Sequence, residues 1–94
     1  MPGPEAEIER ALRKEAIAAG WKVRKLAFLD ANGAPDRAFG KDGRTILIEV
    51  KAPGEKPTRQ QYRRHEELRD FYGWEVRWID NLRDGRRILK LRGG

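Results

Sequence analysis

Cysteine is absent from the 94 residues, which removes disulfides, thiolate-held zinc and thiol catalysis together. No apolar run approaches the roughly 20 residues that a membrane-spanning helix needs. The opening Met1-Pro2-Gly3-Pro4-Glu5 also lacks the apolar core of a signal peptide. A protein of the cytoplasm, with no membrane partner, is the expectation. Repeats, low-complexity tracts and linkers are missing as well, so the chain reads as a single domain, 1–94. A chain of this size buries only about 60% of the surface it exposes unfolded, and modest stability follows unless it dimerises. Acidic residues are the minority, 15 against 21 Lys and Arg, for a net charge of +6 and a pI near 10.1. That balance favours an anionic partner such as nucleic acid, bound in a strongly salt-dependent way.

Against that background the periodicity is clear. Ile8, Leu12, Ala16 and Ala19 recur at helical spacing, predicting a helix over 5–19 that Gly20 ends. Trp21–Leu29 reads as a strand, closed by the loop Asp30-Ala31-Asn32-Gly33. A short strand over 36–39 and a turn at Gly40-Lys41-Asp42-Gly43 lead into Thr45–Lys51, the clearest strand of the chain. After the loop 52–57, Thr58–Tyr72 predicts a second helix stopped by Gly73. Trp74–Ile79 is a further strand, and Asp84-Gly85 reads as the turn of a C-terminal β-hairpin whose second arm is Arg87–Leu91. The fold class is α/β.

Two carboxylates and an ammonium group stand out within this pattern. Asp36 follows Pro35, and Glu49-Val50-Lys51 ends the apolar run Ile46-Leu47-Ile48. Alternation puts Leu47, Glu49 and Lys51 on one side of the strand, with Glu49 and Lys51 about 6.5–7 Å apart. Mg²⁺ takes hard oxygen ligands and is satisfied by one or two carboxylates beside water and phosphate oxygens. Asp36 and Glu49 are therefore the candidate metal ligands, the Val50 carbonyl a third oxygen, and Lys51 the group that orients water or offsets growing charge. Taken alone, Glu-x-Lys is more often a surface ion pair on an edge strand. The preceding Pro-Asp, the apolar strand and the spacing are what favour the site.

Pro35-Asp36 followed by Glu49-x-Lys51 resembles the signature of the PD-(D/E)xK nuclease superfamily. Gly33-Ala34-Pro35-Asp36-Arg37, Ile48-Glu49-Val50-Lys51-Ala52-Pro53-Gly54, Gln61 and Gly73-Trp74-Glu75-Val76 are similar, in the same order, to landmarks of its virus-type replication-repair nuclease branch (VRR-NUC). The resemblance covers nearly the whole chain. It implies a restriction-endonuclease-like core ordered α-β-β-β-α-β, here with the C-terminal β-hairpin as an extension. It also implies Mg²⁺- or Mn²⁺-dependent cleavage of DNA, in small phage-type members branched DNA such as Holliday junctions. Carried over by position, Asp36 and Glu49 match the metal-binding acids and Lys51 the catalytic lysine. A first-helix glutamate completes the metal site, with Glu9 the candidate and Glu5, one turn earlier, the alternative. Gln61 matches a glutamine of the second helix. It also stands at the third position of the capping box that Thr58 opens, a role that competes with an active-site one.

Lys25, Arg37, Lys56, Arg59 and Arg63 are the candidate DNA-backbone contacts, which would carry no sequence information. His65 lies between Arg64 and Glu66 and reads as part of a charged helix surface. Trp21, Phe28, Trp74 and Trp78 fall on predicted strands as core residues, with a homodimer interface as their second use. The two-fold symmetry of a four-way junction also favours a homodimer. The expectation from another class is a non-catalytic DNA-binding module of the same fold.

Overall fold

The computed structural model describes residues 3–28, 32–35 and 37–94. Asp36, the first member of the acidic pair, and Asp30-Ala31 of the predicted loop lie outside the described residues. The element order is α1 (Pro4–Ala18), β1 (Lys22–Lys25), β2 (Arg37–Lys41), β3 (Arg44–Val50), α2 (Arg59–Tyr72), β4 (Glu75–Ile79) and α3 (Leu82–Ile88). The four strands form one sheet in chain order, β1, β2 and β3 antiparallel and β3 with β4 parallel.

The β2–β3 turn is tighter than the sequence suggests. Lys41 pairs with Arg44, leaving Asp42 and Gly43, both at positive φ (51° and 82°), as a two-residue connection. That is the conformation in which a hairpin turn matches strand twist, and Asp-Gly adopts it readily.

Alternation along β3 builds two cores. Ile46, Ile48 and Val50 pack with Val23, Phe39 and Ile79 beneath Leu12 and Ala16 of α1 and Leu89 after α3. Leu47 turns the other way, to Val76 and to Leu68 of α2. The helices therefore cover opposite faces of the sheet, with α2 alone on one of them. Thr58 caps α2 through its side chain, and Gly73 ends it in the left-handed conformation at φ 70°.

The predicted C-terminal hairpin is corrected. Residues 82–88 are helical, begun by Asn81, whose side chain accepts a 2.8 Å hydrogen bond from the Asp84 N–H. Gly85 is no turn residue. A Cβ there would lie 2.8 Å from Leu12 Cδ2 and 2.9 Å from Ile79 Cδ1, so its missing side chain is what lets α3 sit down on α1 and β4. Arg86 then clamps Glu15 of α1 with two hydrogen bonds, at 2.8 and 2.9 Å. Of the four aromatics assigned to the core, Trp21 is buried, while Phe28 and Trp78 are half-buried and Trp74 is exposed.

Candidate active site

The last turn of β3 places Glu49 and Lys51 on the side of the sheet that α2 covers. Lys51 lies just beyond the strand, where its N–H still donates to the Ile79 carbonyl at 2.8 Å and keeps the chain in line with β4. Its ammonium group donates to Gln61 Oε1 at 3.3 Å. That same oxygen accepts the Thr58 N–H at 2.8 Å, and the Gln61 N–H donates to Thr58 Oγ1 at 3.2 Å. The capping box and the contact to Lys51 therefore coexist, where the sequence reading sets them in competition. An amide oxygen has two acceptor sites, and each is used once.

Glu49 borders a cleft of about 210 Å³ lined also by Glu5, Ala6, Glu9, Arg37 and Val50. Two glutamates from distant elements, Glu9 on α1 and Glu49 on β3, thus line one small opening at the C-terminal end of β3. Glu5 joins them, so the first helix offers both of the glutamates that the sequence proposes. The Arg37 guanidinium bonds Glu9 Oε1 at 2.5 Å, a cation already seated against this acidic wall. A larger groove, about 660 Å³, opens over Leu26, Ala38, Leu47 and Trp74. Its one charged wall is Glu75, which two hydrogen bonds from Arg44 already engage, so the chemistry belongs to the smaller cleft. Among the described residues no group of three or more His, Cys, Asp and Glu gathers as a metal centre.

His65 is where the sequence expectation fails. Its side chain is only 1% exposed, and Nε2 has no hydrogen-bond partner among the described residues. Glu49 Oε1 faces that atom at 4.0 Å, beyond hydrogen-bond reach. Burial, with Arg69 adding to it, lowers the imidazole pKa to about 4, so the ring is neutral at neutral pH and the contact is no ion pair. The charged neighbours Arg64 and Glu66 hide a signal that helical spacing carries. Gln61, His65 and Leu68 stand at i, i+4 and i+7, the inward stripe of α2.

The loop before β2 is fastened to the same helix. Arg64 donates to the Asn32 carbonyl at 3.0 Å, and a Cβ on Gly33 would meet the Gln60 and Gln61 backbone at 3.2 Å. Pro35 is buried, and it is Gly33 that brings this loop against the first turn of α2. Of the candidate DNA contacts, Lys25, Lys56, Arg59 and Arg63 are exposed and make no ion pair among the described residues. Arg37 differs, because it is half-buried against Glu9.

Comparison with known proteins agrees with this fold. A "Putative nuclease p44" of Acyrthosiphon pisum secondary endosymbiont phage 1 is 40% identical over 65 residues, 68% of this chain and 70% of that protein. A solved structure described as "VRR_NUC domain" superposes with a TM-score of 0.83 at 26% identity, covering 95% of this chain and 97% of its own. No protein-family model matches the chain.

Proposed function

The chain belongs to the VRR-NUC family of nucleases, and from that premise we propose that it is an endonuclease that uses Mg²⁺ or Mn²⁺ to hydrolyse phosphodiester bonds in branched DNA. The observation that carries the metal assignment is the convergence of Glu9 and Glu49 on one cleft beside Val50. These are hard oxygen donors in the small number that Mg²⁺ uses when water and phosphate complete its shell. The seat that Arg37 takes against Glu9 is further support, since this wall already holds a positive group. Glu9, Glu49 and the Val50 carbonyl would hold the ion, with Asp36 assigned from sequence alone. A divalent ion bound there supplies Lewis-acid polarisation of the phosphate and activation of water.

The chain's own groups do the rest. Lys51 presents its ammonium group beside Glu49, steadied by Gln61 Oε1, to offset charge that develops on the phosphate. The Thr58 N–H fixes that oxygen in turn, so the capping box doubles as the mount for the lysine. Lys25, Lys56, Arg59 and Arg63 are free to meet the DNA backbone, and Arg37 contributes once it leaves Glu9. The exposed Phe71, Tyr72 and Trp74, with Phe28 against Trp74 at 6.4 Å, are the apolar surface for a homodimer. The cytoplasm of the host cell is where such a substrate is met. No helix among the described residues is long and apolar enough to cross a membrane.

The test compares four-way junction, duplex and single-stranded DNA, with Mg²⁺, Mn²⁺ or EDTA, beside an Asp36→Ala variant. Cleavage of the junction that needs the metal and Asp36 is the expected result. Cleavage that survives EDTA removes the metal assignment, and binding without cutting under every condition identifies a DNA-binding module instead. Sedimentation at working concentration decides the dimer.

A further inference from the structure

Strand β3 and helix α2 meet in register. Side chains two apart on a strand are separated by about 6.5–7 Å, and residues three or four apart on a helix by about 4.5–6 Å of rise. The two spacings match here over three successive pairs running in opposite directions. Lys51 meets Gln61, Glu49 meets His65, and Leu47 shares a core with Leu68. The first pair is a polar mount for a reacting side chain and the last is plain packing. The middle pair joins a proposed metal ligand to a buried ring.

That ring carries an unexplained expense. A buried nitrogen without a partner forfeits roughly 1–3 kcal/mol, and native folds seldom leave one. Leu or Phe would fill the same position on the stripe at no such penalty. His65 Nε2 nonetheless faces Glu49 Oε1 across 4.0 Å, about 1 Å beyond a hydrogen bond.

We infer that His65 is a positioning residue for Glu49: its Nε2–H donates to Oε1 when the carboxylate turns to hold the metal, which leaves the other oxygen aimed into the cleft that Glu9 lines. This rests on the reading of Glu49 as a metal ligand. A proton on Nε2 is required, and the burial of that nitrogen without another partner among the described residues leaves Glu49 as its nearest acceptor. Gln61 and His65 then share one task. Each side chain of the Glu49-x-Lys51 pair receives a partner from consecutive turns of α2. Partners of this kind, which hold a ligand without touching the metal, typically contribute 10–100-fold in metal affinity.

The experiment measures Mn²⁺ binding by the electron paramagnetic resonance signal of the free ion, on wild type, Glu49→Gln, His65→Leu and His65→Gln. Melting temperatures are recorded beside it. Wild type is expected to bind and Glu49→Gln to lose binding. His65→Leu should bind about 10-fold or more weakly, and His65→Gln, which restores an N–H donor at similar reach, should recover most of the affinity. A purely structural histidine would move the melting temperature and leave Mn²⁺ affinity unchanged, which overturns the proposal.

A second measurement needs no variant. His65 is the sole histidine of the chain, so one imidazole appears in a long-range ¹H–¹⁵N spectrum. A proton on Nε2, with a shift change on adding Mg²⁺, is expected, whereas a proton on Nδ1 sinks the idea. If wild type fails to bind Mn²⁺, or Glu49→Gln binds equally well, the metal reading falls and takes this proposal with it. If Glu49 matters and His65→Leu binds like wild type, only this proposal falls.

Discussion

Helix α1 carries two glutamates, six residues apart and thus about 9 Å along its axis, that each hold an arginine from a distant element. Glu15 takes Arg86 of α3 through both oxygens, and these hydrogen bonds keep its carboxyl below the ordinary carboxylate range. Glu9 takes Arg37 of β2 through Oε1, and its side chain is about as exposed as that of its partner, 21% against 22%. Pair chemistry alone does not tell the two apart. Surroundings do. Glu15 sits where α1 and α3 close on each other and meets no second acid among the described residues. Glu9 shares a cleft with Glu5 and Glu49, and the Glu49 carboxylate faces a buried ring nitrogen that has no partner. One pair is a strut; the other borders the cleft proposed to hold the metal.

The largest effects should separate these two ends. Lys51→Ala is expected to slow single-turnover cleavage of a labelled junction by about 10²–10³, the usual loss when one charge-stabilising donor goes. Mn²⁺ affinity and melting temperature should stay near wild type, because Lys51 is proposed to act on the phosphate. Loss of Mn²⁺ binding in that variant would place Lys51 in the metal site instead. Glu9→Gln against Glu15→Gln follows, read by the same two assays. Glu9→Gln should weaken metal binding and cleavage together, about 10-fold or more, whereas Glu15→Gln leaves both intact. Equal activity in the two variants would erase the distinction between strut and site.

Acid should expose the unsatisfied end next. A pKa lowered to about 4 in the fold, against an ordinary 6.5, means that the unfolded chain binds a proton which folded His65 refuses. Stability is then complete above pH 6.5 and falls as pH drops from about 6.5 toward 4, by up to roughly 3 kcal/mol. The groups facing the ring pull opposite ways, since Arg69 opposes its protonation and Glu49 favours it. Urea melts in metal-free buffer at pH 7, 5.5 and 4.5 measure the slope. His65→Gln should flatten it over that window, and an unchanged slope would assign the acid sensitivity elsewhere.

How legible each end was follows from the range of the interactions that build it. Strand β3 and helix α2 could be read because their signals are local: alternation over seven residues, a Thr58–Gln61 capping box and a closing Gly73. The C-terminal helix could not. Asp84-Gly85 looks like a turn until Leu12, far away in sequence, shows why that glycine has no side chain. The local cue in its favour was Asn81, three residues before Asp84, as an N-cap. Glu9 came from the family resemblance, and the cleft it lines with Glu49 joins α1 to β3, which lies far from it in sequence. His65 was obscured by its charged neighbours, although the spacing from Gln61 to Leu68 already turned it inward. Gln61 keeps its cap and still meets Lys51, because its amide oxygen has two acceptor sites.

Gly85→Ala probes the packed end directly. The added methyl meets Leu12 and Ile79, which are 0% and 1% exposed and have little room to yield. Overpacking of this kind typically costs about 1–3 kcal/mol, and alanine returns up to ~1 kcal/mol in helix propensity. A net loss near 1 kcal/mol lowers the melting temperature by roughly 4–8 °C in a domain of this size. Cleavage at 25 °C should not change. A stabilised variant would mean that α3 can lift from α1 without penalty.

Glu15→Gln should be the smallest effect, and the salt dependence decides its meaning. Both partners keep about a third of their side-chain surface in solvent, where screening holds ion pairs to about 0–1 kcal/mol. The two-pronged geometry argues for the upper part of that range, because one guanidinium plane satisfies both oxygens at once. Glutamine keeps one acceptor and loses the charge, so a small loss of stability is expected at low ionic strength. At 1 M salt, where the screening length is near 3 Å, the difference from wild type should shrink further. A larger loss that resists salt would show that Arg86 holds α3 through hydrogen-bond geometry. The strut would then depend on directed contacts more than on charge, whereas the Glu9 cleft is proposed to need its charge to hold the metal.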